Sequence, residues 1–169
     1  MIQIRPARPD DAAAIATVHV ESWRTAYPGM VPQRVLDGLS VERRTVFWTA
    51  LLADPRDTRT WVAQRDGAIV GFAGTTVTVA PDGPGAALET IYVLAEARGQ
   101  GIGGRLMEAA LADLTKRGFR SVTLWVLTAN DRARRFYERH GWRRDGEKNL
   151  LDFDGTPVEE IRYELALAA

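Results

Sequence analysis

The sequence predicts an α/β fold, a mixed sheet covered by helices, and three observations carry that prediction. Some apolar runs alternate with a period of two while others recur every 3–4 residues, the signatures of strands and of amphipathic helices. The two kinds of segment follow in the order β-α-α-β-β-β-α-β-α-β-β, which combines hairpins with crossover helices. Glycine- and proline-rich joints punctuate the series, with no repeat, linker or low-complexity stretch between them. At 169 residues the chain suits one domain spanning residues 1–169.

Taken in order, "IQIR" reads as a first strand, and Asp10 or Asp11 can cap a helix carrying Ile15, Val18, His19, Ser22, Trp23 and Ala26 on one stripe. "YPGMVP" breaks that helix. A short helix over 33–39 and a longer one over 41–53 follow, the latter with Val46, Phe47, Ala50 and Leu51 on its apolar face. "TWVAQ" and "AIVGFAGTTVTVA" flank Asp66-Gly67, a strong two-residue hairpin signal. "PDGPG" reads as a loop and "ALETIYV" as the next strand. A helix with Leu106, Met107, Ala110, Leu111 and Leu114 ends at Gly118, and "SVTLWVL" is a buried strand. Asn130 and Gly141 bracket a helix bearing Ala133, Phe136, Tyr137 and His140. Two last strands, over 146–153 and 158–167, surround the Asp154-Gly155 turn.

Composition excludes several classes of function. Lys plus Arg equal Asp plus Glu at 22 each, so net charge points to neither nucleic acid nor membrane. One stretch departs from this balance: residues 116–144 hold nine Lys/Arg against Asp131 and Glu138, either a solvated basic face or an anion site. The absence of cysteine removes disulfides, thiolate metal sites and an acyl-cysteine intermediate. His19 and His140 have no metal-ligand spacing, and His140 beside Gly141 reads as a helix C-terminal residue complementing the dipole. The first residues lack an apolar signal region, and no uncharged stretch is long enough to span a bilayer. A cytoplasmic protein is the expectation.

The chemistry is concentrated in "RGQGIGGRLMEAAL", where four glycines occupy six residues before a helix. Glycine inside a helix costs about 1 kcal/mol relative to alanine, so the cluster implies that the bare backbone is needed. Unpaired amides at a helix N-terminus favour an anion, and missing Cβ atoms let phosphate oxygens reach several N–H groups together. Arg98 adds a permanent positive charge. The loop ends Gly-Gly-Arg, not Gly-Lys-Ser/Thr, which argues against a nucleotide-hydrolysing loop. "GQGIGG" fits the dinucleotide pattern G-x-G-x-x-G. Yet "LAEAR" separates it from its strand, and the next strand ends without the ribose-binding acid.

Arg98-Gly-Gln-Gly101-Ile-Gly103 resembles the Arg/Gln-x-x-Gly-x-Gly/Ala acetyl-CoA loop of the GNAT (GCN5-related) N-acetyltransferases. "ANDRARRFYERHGW" is similar to that family's second signature, in the usual order and at the usual spacing. The resemblance implies the acyl-CoA N-acyltransferase fold with splayed central strands and acetyl-CoA as cofactor. It implies pyrophosphate on the amides of Gly99, Gln100, Gly101, Ile102, Gly103 and Gly104 beside Arg98. It also implies pantetheine along Ile91, Tyr92 and Val93, and contacts from Asn130, Ala133, Phe136 and Tyr137.

Transfer needs an unprotonated amine, and an alkyl amine is mostly charged at neutral pH. Glu89, two residues before Ile91 and so expected on its face, is the candidate base; alone it is equally an edge carboxylate in an ion pair. The Val93 N–H is a candidate oxyanion donor. Tyr137 matches the family's tyrosine and can protonate the thiolate, although by spacing alone it reads as a core aromatic. Trp23 and Tyr27 can wall an acceptor pocket, with Glu21 or Asp37 attracting a cation, or they can be ordinary helix core. Around them, "ESWRTAYPGMVPQRVLDGLS" is similar to a segment of a bacterial subgroup that acetylates polyamines and protein amines.

The expected activity is direct acetyl transfer to a primary amine, small or on a protein. The alternative is an acyl-CoA-binding sensor without turnover, and a dinucleotide-binding domain is the remote third class. Oligomeric state is not readable in the residues, though a homodimer accords with the resemblance.

Overall fold

The structure, a computed structural model, describes residues 1–168. Seven strands form one sheet in the order β1-β2-β3-β4-β5-β7-β6. They are β1 (Ile2–Pro6), β2 (Thr58–Arg65), β3 (Ala68–Ala80), β4 (Gly83–Val93), β5 (Ser121–Leu127), β6 (Arg143–Phe153) and β7 (Thr156–Ala166). All neighbours are antiparallel except β4 and β5. Helices α1 (Ala12–Ala26), α2 (Gln33–Asp37) and α3 (Val41–Ala53) lie on one face; α4 (Ile102–Lys116) and α5 (Asp131–Arg139) cover the other. The mixed α/β fold is the one the sequence predicts, and the element order agrees except that three helices, the short α2 included, separate β1 from β2 where the predicted order has two.

Period-two alternation assigns the two faces. Val122, Leu124, Ile161 and Tyr163 point toward Leu106, Met107, Ala110 and Leu114 of α4. On the opposite face, Ile15 and Val18 of α1 and Trp48 of α3 pack on Val62 and Phe72. Burying each such side chain contributes about 1.5–3 kcal/mol.

Helix α3 departs from its expected face. Trp48 is its buried residue at 2% exposure, whereas Val46 and Phe47 stand 71% and 49% exposed. The indole outweighs the smaller residues that period 3.6 picks out, and α3 turns to bury it. Residues 83–85, expected as loop, continue the β3–β4 hairpin, which turns between Ala80 and Gly83. Strand β6 likewise begins at Arg143, three residues early, because its antiparallel register with β7 resumes beyond an irregularity. Asp11 precedes α1 but makes no cap bond to it; its carboxylate instead accepts from the Arg8 N–H and pairs with Arg5 at 2.8 Å.

Two irregularities shape the centre of the sheet. First, β4 and β5 pair through one ladder position, Ala87 with Thr123, and then diverge. The far edge of β4 is held by β3 and that of β5 by β7, so two strand edges face each other across a wedge. Second, β4 carries a bulge: Thr75 pairs with Leu88 and Gly74 with Thr90, leaving Glu89 as the extra residue. The bulge switches the phase of the strand, so the α4-facing residues run Ala86, Leu88, then Ile91 and Val93.

Candidate functional site

The glycine loop lies at the mouth of the wedge. The Arg98 N–H donates to Ala95, and the Arg105 N–H donates to Gly101. Between them, the amides of Gly99, Gln100, Gly101, Ile102, Gly103 and Gly104 have no protein acceptor among the described residues. Consecutive orphan N–H groups at the positive end of a fifteen-residue helix form a cradle for a diphosphate.

The four glycines serve two needs. Gly99 and Gly101 adopt φ of +75° and +74°, which L side chains rarely tolerate. Gly103 and Gly104 admit α5: an added Cβ would stand 3.2 Å from Phe136 Cζ at the first and 3.1 Å from His140 Nε2 at the second. His140 is the helix C-cap residue, its Nδ1 2.8 Å from the Phe136 carbonyl oxygen.

Arg98 is anchored by a 3.0 Å bond from Nε to the Val93 carbonyl. Partial burial, then the charge of Arg132, lower its pKa, with Glu96 opposing. Arg132, on the first turn of α5, has no ion pair among the described residues. Two cations, Arg98 and Arg132, therefore lie close enough to repel each other beside the loop. Arg132 was not singled out in the sequence, where it is one basic residue among nine.

The open edge of β4 supplies a second element. The Leu94 N–H donates to Val70, so Tyr92 also points its peptide groups at β3, while those of Ile91 and Val93 face the wedge. A pantetheine arm can thus pair with Ile91 and with the Val93 N–H. Tyr92 does not share that edge, and its side chain turns to the α1 face. Ala133 and Phe136 pack along the α5 wall. Asn130 uses its carboxamide oxygen to cap α5 through the Ala133 N–H at 3.2 Å, which leaves its Nδ2 donor for a ligand.

Tyr137 is 8% exposed, ringed by Phe136, Trp142 and Tyr163, and its hydroxyl makes no hydrogen bond among the described residues. Burial, reinforced by the nearby Tyr92 phenol, pushes its pKa well up. Glu89, as the bulge residue, is released from the face of Ile91 and Val93 expected for it. Partial desolvation and the charge of Glu160 on β7 raise its pKa. Glu160 has no sequence signal beyond strand alternation.

Trp23 and Tyr27 meet at Tyr92. The Trp23 Nε1–H donates to the Tyr92 hydroxyl at 3.1 Å, and the Tyr27 and Tyr92 hydroxyls lie 3.2 Å apart. Burial first, then the Tyr92 and Tyr137 phenols, raise the pKa of Tyr27. Trp23 stacks edge-on with Tyr27 and Phe153, so α1 and the β6–β7 hairpin form one wall. Arg34 holds that hairpin through the Phe153 and Asp154 carbonyls and Thr156 Oγ1. Of the two acids proposed to attract a cation, Glu21 is exposed and Asp37 accepts from Gln33. The carboxylate carried by the wedge strand is Glu89, and Glu160 on β7, which accepts from Asn149 Nδ2 at 3.0 Å, lies near enough for its charge to act on it.

Among the described residues no helix is long and apolar enough to cross a membrane, and no group of His, Cys, Asp or Glu could hold a metal ion.

Comparison with known proteins gives this geometry its context. The model of the Acetyltransferase (GNAT) family matches residues 18–142. The uncharacterized N-acetyltransferase YuaI of Bacillus subtilis is 30% identical, over 95% of this chain and 91% of its own. An uncharacterized N-acetyltransferase of Archaeoglobus fulgidus is 33% identical, over 85% of this chain and 94% of its own. Among solved structures, the PaiA N-acetyltransferase of Thermoplasma acidophilum in complex with coenzyme A superposes with a TM-score of 0.78. That likeness, at 22% identity, covers 98% of this chain and 99% of the other. The cradle of free amides and the wedge beside it belong to a member of the GNAT family, an N-acetyltransferase that takes its acetyl group from acetyl-CoA.

Proposed function

We propose that this chain, as one domain, moves acetyl directly from the CoA thioester to a primary amine, either a small polyamine-like molecule or a protein amino group. The observation that supports this most is the Tyr137 hydroxyl, which tips a mostly buried side chain on α5 and has no hydrogen-bond partner among the described residues. The absence of cysteine agrees with direct transfer, because no thiol is available to carry the acyl group.

In this reading the amides of Gly99–Gly104, with Arg98, hold the diphosphate, and the Ile91 peptide groups pair with the pantetheine arm. The Val93 N–H is the oxyanion donor. Glu89, directly or through water, accepts the proton that the ammonium must lose. Its raised pKa, from desolvation and the Glu160 charge, makes it a better base than an ordinary carboxylate. Attack forms the C–N bond and breaks the C–S bond; Tyr137 gives its phenolic proton to the departing sulfur and is reprotonated by the second proton, which the acetylated nitrogen releases into the cleft. Burial raises the phenol, but the same dry surroundings raise the thiol of about 8.5, so the proton is passed between groups shifted in the same direction. Trp23 and Tyr27 wall the acceptor. A cytosolic enzyme that works without metal, membrane or nucleic acid belongs to the same reading, and a homodimer is compatible with it.

The test is a panel of primary amines with acetyl-CoA, read by thiol release and by the mass of the acetylated product. Release with at least one amine supports the proposal. No release from a protein that still binds CoA would replace it with an acyl-CoA sensor of the same fold.

A further inference from the structure

His19 is a buried titratable side chain that the chemistry above does not use. It lies on α1 at 6% exposure, one helical turn before Trp23, inside a ring of aromatic residues. Trp48 of α3 donates its Nε1–H to His19 Nδ1 at 3.2 Å. That bond fixes the neutral tautomer: Nδ1 is the acceptor, and the proton resides on Nε2. On its other side the imidazole stacks on the Tyr92 ring, with centroids 5.3 Å apart and planes 22° from parallel. Phe72 and Trp23 close the ring at 5.7 and 6.0 Å. The Tyr92 hydroxyl, 3.2 Å from that of Tyr27, also accepts from Trp23.

We infer that His19 is a positioning residue for the acceptor pocket: tied to Trp48, it clamps the Tyr92 ring and thereby sets Trp23 and Tyr27 at the spacing the amine meets. The inference rests on the reading of Trp23 and Tyr27 as the acceptor wall.

Three features give His19 this task and not that of core filler. An apolar residue of similar size would fill the space but leave the Trp48 N–H buried without an acceptor. The stack holds the Tyr92 ring from one side, and the direction of its long axis decides whether one hydroxyl can meet both Trp23 and Tyr27. Tyr92 also lies between Ile91 and Val93, the residues whose peptide groups face the wedge, but it turns its own to β3. A tilt of its ring therefore moves the acceptor wall and leaves the acetyl-CoA edge in place. The effect of losing His19 belongs on the amine.

The experiment compares His19→Leu with His19→Asn, whose carboxamide oxygen can still accept from Trp48. KM and kcat are measured for the amine and for acetyl-CoA, well below each variant's unfolding midpoint. His19→Leu is expected to raise KM for the amine about tenfold, the equivalent of one buried hydrogen bond, with KM for acetyl-CoA unchanged. His19→Asn is expected to recover most of that loss. If the leucine variant does not fold, Trp48→Phe removes the same bond from the other side and is read in the same way. Equal increases in both KM values, or no recovery with asparagine, would overturn the inference in favour of general loosening. Tyr27→Phe separates the two levels of the argument. An amine KM raised by Tyr27→Phe but untouched by His19→Leu overturns this inference alone; one untouched by both removes the acceptor wall beneath it.

Discussion

At the scale of single residues, desolvation shifts His19, Glu89 and Tyr137, and each shift has a sign that an experiment can read. His19 takes up its proton only near about 4, chiefly through burial and secondarily through Arg44, the charged group facing it from α3. The unfolded chain takes up that proton near 6.5, so between these values the unfolded state binds more protons and stability falls as pH falls. The loss approaches about 3 kcal/mol across that window. Asp11, held low by Arg5, adds its own loss at lower pH. Urea unfolding of the wild type should therefore weaken between pH 6.5 and about 4 with a slope that His19→Asn lacks; equal slopes would show His19 already solvated. Glu89 shifts the other way. Its raised pKa places the acid limb of kcat/KM above the ordinary carboxylate range, and Glu160→Gln, by removing the nearby charge, should move that limb to lower pH. A limb that stays put would take Glu89 out of the reaction. Tyr137→Phe keeps the ring and loses the proton, so kcat should fall about a hundredfold while CoA binding is retained. Undiminished turnover would return Tyr137 to the core.

At the scale of elements, the loop and the bulge differ in how plainly the sequence announces them. The loop is legible because glycine is costly in a helix and four together need a reason. What the sequence does not separate is that Gly99 and Gly101 serve the backbone while Gly103 and Gly104 serve α5. The two pairs should respond differently to alanine. Gly101→Ala meets nothing within 4 Å but must hold a φ of +74°, a strain of about 1–2 kcal/mol. It should lower stability by about that amount and weaken CoA binding. Gly103→Ala keeps helical backbone but forces Phe136 aside by a few tenths of an ångström. It should disturb the α5 wall more than the cradle, raising KM for acetyl-CoA with little loss of stability. Calorimetry and CoA titration distinguish these outcomes; identical profiles would mean the glycines share one role. The bulge has no such signal. "ALETIYV" reads as regular alternation, and only pairing with β3 reveals that Glu89 is extra, which is why its face was misassigned. Trp48 was missed for a related reason: period 3.6 marks a stripe, but the largest side chain decides which way a short helix turns.

At the scale of the whole molecule, the sheet is two ladders, β1 to β4 and β5-β7-β6, touching at Ala87 and Thr123. Element order and the faces of α1, α4 and α5 were readable because each obeys one period. The convergence of Trp23, Tyr27, Tyr92 and Tyr137 was not, since they come from three elements on both sides of the sheet. The wedge that joins them is also where the fold leaves hydrogen-bonding capacity unused: the Ile91 peptide groups, the Val93 N–H and the six amides of Gly99–Gly104. A ligand that pairs with both sets binds the folded chain and not the unfolded one, so its binding energy becomes folding stability. At 100 times its dissociation constant, CoA should add about 2.7 kcal/mol. For a chain of this size that is a rise of about 5–10 °C in Tm. Amide exchange should slow at Ile91, Val93 and Gly99–Gly104 and stay unchanged at Tyr92, whose N–H is already bonded to β3. NAD also carries a diphosphate but lacks the amide-bearing arm, so at equal concentration it should leave both readouts unmoved. Equal protection by both ligands would mean that the diphosphate alone is recognised and that the open edge of β4 takes no part in binding.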